Sequence, residues 1–220
     1  MPLDQKFYSD KKNAYFSVTR TDIEGALDAP YESVLEIGCG SGDTLAWLKR
    51  EEYVKNSCGV ELTAAASELS RKNADTVHCL NAESDELPFM PDQFDLILLL
   101  DVLEHTVDPW ALIEKLSPHL RPGGRMIVSI PNIRNLKALL PLLFLGKWEY
   151  EETGLLDRTH LRFFTRKSIL GLFTAEQWKL NRSYSSNLAK GRMITLLNNL
   201  TLRLFEEFIT LQYIVAVDKK

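Results

Sequence analysis

The chain has 220 residues, 45% hydrophobic and 10% aromatic, with 26 basic and 30 acidic side chains and a net charge of −4. That length and apolar share suit one folded domain, residues 1–220, and argue against a disordered chain. With no Lys/Arg-rich block the balance carries no footprint of a nucleic-acid partner.

In chain order, the polar start "MPLDQKFYSDKKNAYF" lacks the continuous apolar core of a signal peptide. "SVLEIG" then reads as a buried strand, followed by alternating glycines and a helix over Asp43 to Arg50. "CGVEL" predicts a second strand, and Thr63 a cap for the helix in "TAAASELSRKN". "TVHCL" and "FDLILLL" predict two more strands. In "DPWALIEKLSPHL" Asp108 caps a helix whose first turn takes Pro109, and "RMIVSIP" makes a fifth strand. Short Val/Ile/Leu-rich runs alternating with helices mark a doubly wound, parallel α/β sheet.

The rhythm changes over residues 132–164, which carry no clear strand and read as a lid or acceptor-binding insertion. The apolar "ALLPLLFLG" inside it is far shorter than the roughly 20 residues of a membrane span and contains Pro141. Regular structure resumes with Thr165 capping "RKSILGLFTAEQ" and a strand near Trp178 to Tyr184. An amphipathic helix follows, with Leu197, Leu200, Leu204, Phe208 and Leu211 on one face, and "QYIVAV" is the last strand. Arg203, Glu206 and Glu207 interrupt that apolar C-terminal stretch, so no transmembrane segment is expected. The helix face reads as core, a dimer surface or an interfacial membrane contact; monomer and homodimer both fit.

Cys39, Cys58 and Cys79 have neither CxxC nor metal-ligand spacing, so they read as reduced thiols buried in or near strands, no metal is expected, and the compartment reads as cytoplasmic.

The glycine turn "EIGCGSGD" lies between strand and helix, where open α/β sheets bind ligands. A dinucleotide fingerprint needs glycine where Asp43 stands, and a Walker loop needs a Gly-Lys-Ser/Thr run that is absent. Glu36 and Asp43 beside the turn disfavour a pyrophosphate and favour a neutral or cationic ligand. Glu61, at the end of the second strand, is placed to accept ribose hydroxyls. S-adenosylmethionine, an adenosine with a sulfonium and an ammonium, fits all of this.

The set Val34 to Gly42, Glu61, "NAESDELPF", "FDLILLLDVLEH" and "LRPGGRMIVSIPN" resembles the class I S-adenosylmethionine-dependent methyltransferases, over roughly Tyr15 to Asn132. The segment "GKWEYEETGLLDRTHLRFFTRKSI" is similar to a subgroup of small bacterial methyltransferases associated with glycan and polysaccharide biosynthesis. The resemblance implies a Rossmann-like, mostly parallel seven-stranded sheet with a lid. It implies a loop of Glu36, Gly38, Cys39, Gly40 and Gly42 around the methionine portion, Glu61 on the ribose, and Leu62, Asn81 and Ala82 at the adenine. Asp101 to His105 would floor the site under the methyl, and Tyr15 and Arg20, in an N-terminal helix, would close over the cofactor.

Among candidate catalytic groups, His105 reads either as a proton acceptor or as a loop anchor; Asp157, Arg158 and His160 read either as a potential base, an anion binder and a second imidazole or as a solvated or salt-bridged hinge, with His105 or His160 as base for a hydroxyl acceptor. Trp148 and Tyr150 either stack on a sugar or pin the lid. Cys39 has no neighbouring base and reads as a small buried residue, not a nucleophile. The implied activity is O-methylation of a glycan or small-molecule hydroxyl. Alternatives are methylation of a quinone-like metabolite or protein side chain, or a non-catalytic cofactor-binding scaffold.

Overall fold

A computed structural model describes residues 17–28, 30–188 and 205–220. The apolar runs form β1 (Tyr31–Ile37), β2 (Val54–Glu61), β3 (Thr76–Cys79), β4 (Phe94–Leu100) and β5 (Leu120–Pro131). Between them lie helices α1 (Asp43–Arg50), α2 (Ala64–Ser70) and α3 (Pro109–Leu116); α4 (Leu136–Leu145) and α5 (Arg166–Leu170) follow β5. The chain then forms β6 (Trp178–Leu188), α6 (Glu206–Ile209) and β7 (Thr210–Lys219).

The sheet order is β3-β2-β1-β4-β5-β7-β6. β1 to β5 are mutually parallel where they pair, and β7 runs antiparallel to both β5 and β6. This is the mostly parallel, seven-stranded α/β sheet expected. All seven residues of β4 are buried. A strand's alternation sends Ile97, Leu99 and Val128 into one core and Leu96, Leu98 and Ile127 into the other, so helices cover both faces. Because β2 and β4 leave β1 on opposite sides, a crevice opens beyond the carboxyl end of β1.

Local chemistry sets the helix starts. Asp108 accepts from the Ala111 amide at 3.0 Å, and Thr165 forms a reciprocal capping box with Ser168. Thr63 precedes α2, but its hydroxyl goes to Glu61 and makes no cap bond. The N-terminal helix expected around Arg20 is in the described residues only a 3-10 turn, Thr21–Ala26, which starts after Arg20.

Two other expectations need correction. Cys39 and Cys58 are buried free thiols, with burial pushing Cys58 up to about 12, whereas Cys79 is exposed on the short edge strand β3. Leu211, placed on the C-terminal helix face, belongs to β7, since the helix ends at Ile209; Phe208 lies on the short α6. Leu197, Leu200 and Leu204 lie outside the described residues. No helix of the described residues is long and apolar enough to cross a membrane.

Candidate active site

Each parallel strand delivers its last residues to the same rim. There a cavity of 580 Å³ gathers Glu36, Gly38, Cys39 and Gly40 after β1, Glu61 and Leu62 after β2, and Asn81 and Ala82 after β3. Asp101, Glu104 and His105 follow β4, Arg20 enters from the N-terminal side, and Asp157 and His160 come from the segment after α4. Of the fifteen residues read from the sequence as cofactor-binding or catalytic, thirteen are wall residues of one cavity. Gly42 stands behind the loop as the residue before α1, where a Cβ would meet Ser70 and Asn73. Tyr15 lies outside the described residues.

The turn works because glycine accepts backbone angles that side chains resist. Gly38 has φ +67°, and a Cβ there would lie 2.9 Å from Val102 Cγ2. Glu61, 5% exposed, braces the turn: its Oε2 accepts from the Gly40 amide at 3.0 Å, and its Oε1 accepts from the Thr63 amide and hydroxyl at 2.9 and 3.0 Å. Burial raises the Glu61 carboxyl above its ordinary value, and these hydrogen bonds oppose the rise.

Glu36 has no such support. It is 3% exposed and its Oε2 has no hydrogen-bond partner. Burial pushes its carboxyl up to about 8, with Glu61 and Asp43 adding to the rise and Arg20 opposing it. An orphaned buried carboxyl beside a glycine turn is where a cationic ligand group would gain most. This donor set would suit S-adenosylmethionine: Glu36 would meet the ammonium, the turn would allow close backbone approach, Glu61 would meet the ribose hydroxyls and the Leu62–Asn81 side the adenine.

The far wall of that subsite is organised by Lys115, whose ammonium donates to the carbonyls of Ala82, Glu83 and Asp85, at 2.9, 3.0 and 2.6 Å. The Asn81 carboxamide oxygen accepts from the Glu83 amide at 2.9 Å. Both anchors shape the loop that carries Asn81 and Ala82.

At the end of β4, Asp101 holds a left-handed backbone, φ +58°, rare for a residue with a side chain and enriched at functional sites. Its carboxylate accepts from Arg20 and from Gln212. Arg20 also donates to both carboxylate oxygens of Asp22, each at 3.0 Å, and to Ser129 Oγ at 2.6 Å. Asp22, Ser129 and Gln212 were not foreseen from the sequence, because each is an ordinary polar residue on a separate element and only the sheet brings them together.

Glu104 and the two histidines follow. Glu104 is 1% exposed, neither of its carboxylate oxygens has a hydrogen-bond partner, and burial drives its carboxyl well above the usual range. His105 Nδ1 lies 3.1 Å from the Thr159 carbonyl, His160 Nδ1 lies 3.1 Å from the Leu155 carbonyl, and the rings meet edge to face with centroids 4.7 Å apart. Asp157 is buried, its Oδ1 accepting from the Thr159 amide and hydroxyl at 2.9 and 2.8 Å. Trp148 packs edge to face on Phe163, Tyr150 is half exposed, and neither lines the cavity.

The comparisons with known proteins agree with this geometry. A family described as "Methyltransferase domain" matches residues 5–182. The chain is 35% identical over 136 residues to a ubiquinone biosynthesis O-methyltransferase of Parvibaculum lavamentivorans, covering 54% of this chain and 50% of the relative. It is 30% identical over 125 residues to a trans-aconitate 2-methyltransferase of Deinococcus radiodurans, covering 56% and 47%. The chain spans about half the length of the curated relatives it matches. An S-adenosylmethionine-dependent methyltransferase structure from Thermotoga maritima has the same fold, with a TM-score of 0.64 at 19% identity over 90% of this chain and 86% of that one. With the glycine turn, Glu61 and the seven-stranded order already in place, the match over residues 5–182 identifies the chain as a member of the methyltransferase-domain family.

Proposed function

We propose that this chain transfers the methyl group of S-adenosylmethionine to a hydroxyl oxygen of a small molecule. The observation that carries this reading is the pair His105 and His160 in the cavity that also holds the glycine turn. When bound, the cofactor supplies a methyl carbon on a sulfonium: the acceptor oxygen bonds to that carbon, the carbon–sulfur bond breaks with its electron pair on sulfur, and the hydroxyl proton must leave.

In this reading the chain's residues align the acceptor and handle the proton. Alignment alone is worth of order 7–11 kcal/mol in favourable cases. Glu36, Gly38, Cys39, Gly40, Glu61, Leu62, Asn81 and Ala82 hold the cofactor, while Asp101 and Arg20 form the rim between cofactor and acceptor. A carbonyl only accepts, so Nδ1 of each histidine carries a proton, and a neutral ring then has its basic lone pair on Nε2. His105 acts as proton acceptor and His160 supports it, while Asp157, occupied with Thr159, positions the loop rather than taking the proton itself. The segment 132–164 serves as the lid, with Thr153 to His160 walling the acceptor end.

The cavity wall also includes the apolar side chains of Val102, Leu112, Leu155 and Leu211. Apolar walls, the absence of Trp148 and Tyr150 from the lining, and relatives named for ubiquinone biosynthesis favour a phenolic, quinone-like hydroxyl over a saccharide. The test is S-adenosylhomocysteine release from the purified chain with hydroxylated aromatic rings and with mono- and oligosaccharides. Turnover with the phenols supports the reading, turnover with sugars alone restores the glycan acceptor, and methylation only of amines or carboxylates overturns O-methylation.

A further inference from the structure

Three groups of ligand chemistry converge at the cavity floor. One ring nitrogen from each of His105 and His160 and a carboxylate oxygen of Glu104 all lie within 4.8 Å of one another. Glu104 is 1% exposed and both of its oxygens lack hydrogen-bond partners. A carboxylate in that position is costly unless a cation meets it. Asp101 and Asp157 add negative charge around it, against the positive charge of Arg20.

The imidazoles share a feature of metal-binding histidines: each Nδ1–H is held by a backbone carbonyl, Thr159 for His105 and Leu155 for His160, which puts the lone pair of a neutral ring on Nε2. The Thr159 and Leu155 carbonyls both belong to the loop that Asp157 and Thr159 brace, so one loop sets both rings. Cysteine spacing gave no hint of this cluster, because its members come from the end of β4 and from the segment after α4.

We propose that Glu104, His105 and His160 bind a divalent transition-metal ion, zinc or one of similar preference, with a remaining position open to the cavity. Two imidazoles and one carboxylate suit such an ion, and three protein ligands with an open fourth position is the pattern of catalytic rather than structural zinc. Bonds of ~2.0–2.2 Å would draw the ligand atoms together by an ångström or so from their present spread.

The use of this site rests on the hydroxyl-acceptor reading above. A hydroxyl on the open position is acidified by the ion and loses its proton to water, and its oxygen then bonds to the methyl carbon as the carbon–sulfur pair returns to sulfur. In that form His105 serves as a ligand rather than as the proton acceptor, the ion acidifies the hydroxyl and water takes the proton.

The test needs no turnover. The purified chain, stripped with a chelator, is titrated with Co²⁺ followed by visible absorption and with Zn²⁺ followed by calorimetry. One ion per chain with micromolar or tighter affinity is expected, with the intense visible bands of four-coordinate cobalt. His160→Gln and Glu104→Gln should each weaken binding by about 100-fold, in variants shown to be folded by retained S-adenosylhomocysteine binding. The proposal is overturned if saturable binding fails below about 1 mM, or if both folded variants bind the ions as the parent does. A metal-free chain that methylates hydroxyls, and loses that activity on His105→Ala, would sink the metal site and leave the acceptor reading standing. A one-to-one ion lost in the variants, in a chain that methylates no hydroxyl, would do the reverse.

Discussion

Replacing Glu36 by Gln should change how stability depends on pH. The carboxyl lies on β1 with one oxygen unpartnered, and burial raises it from its ordinary 4.5 to about 8. An unfolded chain gives up this proton near pH 4.5 and the folded chain near pH 8. Between those values the folded state holds the extra proton, so stability falls as pH rises, by about 1.4 kcal/mol per pH unit. The contribution is complete below pH 4.5 and gone above pH 8, with roughly 3 kcal/mol lost by pH 7. Glu36→Gln keeps the shape of the neutral acid and removes the titration. Urea unfolding from pH 5 to 8 should show parent and variant close together at pH 5, with the variant gaining about 3 kcal/mol or more by pH 8. A difference that stays constant with pH would refute the assignment of a buried neutral carboxyl. The same residue links stability to the ligand, because an ammonium set beside Glu36 favours the ionised form. Binding of S-adenosylhomocysteine at pH 7 should therefore release a proton, seen as a calorimetric heat that varies with the buffer's ionisation enthalpy in the parent and not in Glu36→Gln.

Glu61→Ala should weaken S-adenosylhomocysteine binding by at least 100-fold and lower stability by about 2–4 kcal/mol, because the Gly40 and Thr63 amides lose a charged acceptor; unchanged affinity by calorimetry would remove the ribose assignment. Gly38→Ala combines a positive φ with a contact 2.9 Å from Val102 Cγ2, so a stability loss of about 1–3 kcal/mol and weaker cofactor binding are expected; a thermal midpoint and affinity equal to the parent's would show that the turn has room to spare. His105→Ala should lower kcat by about 100-fold while leaving S-adenosylhomocysteine affinity within a factor of three, and normal turnover would reduce His105 to a loop anchor.

The sheet was legible because its strands advertise themselves. Five apolar residues in a row in β4, Leu96 to Leu100, and the Val/Ile/Leu-rich segments of β1 and β5, leave strands buried on both faces as the economical reading. The glycine turn was legible for a different reason: Gly38 and Gly40 need backbone angles that few other residues accept. The end of the C-terminal helix was not legible, because Leu211 continues an apolar helical spacing yet begins the alternation of β7, and only pairing with β5 decides between them. Thr63 misled in a smaller way, since a good capping residue went instead to the carboxylate two residues before it.

The corner where His105 meets His160 was the hardest part to read, and the hydrogen bonds explain why. His160 reaches His105 because the amides of Leu161 and Arg162 donate to the Glu104 carbonyl at 2.8 and 3.0 Å, and the Asn132 bridge to Phe164 closes the segment at its base. Those are backbone contacts, blind to side-chain type, so no pattern of residues announces them. Once made, they hold this segment and the β4 end in fixed relation, so in the proposed O-methyl transfer the groups that act on the acceptor's proton would be drawn from both. A substitution that loosens the segment, such as Asp157→Ala with its loss of both Thr159 contacts, would then act on His105 and His160 together. The site at the cavity floor is in that sense a property of the junction between insertion and sheet, and of neither alone.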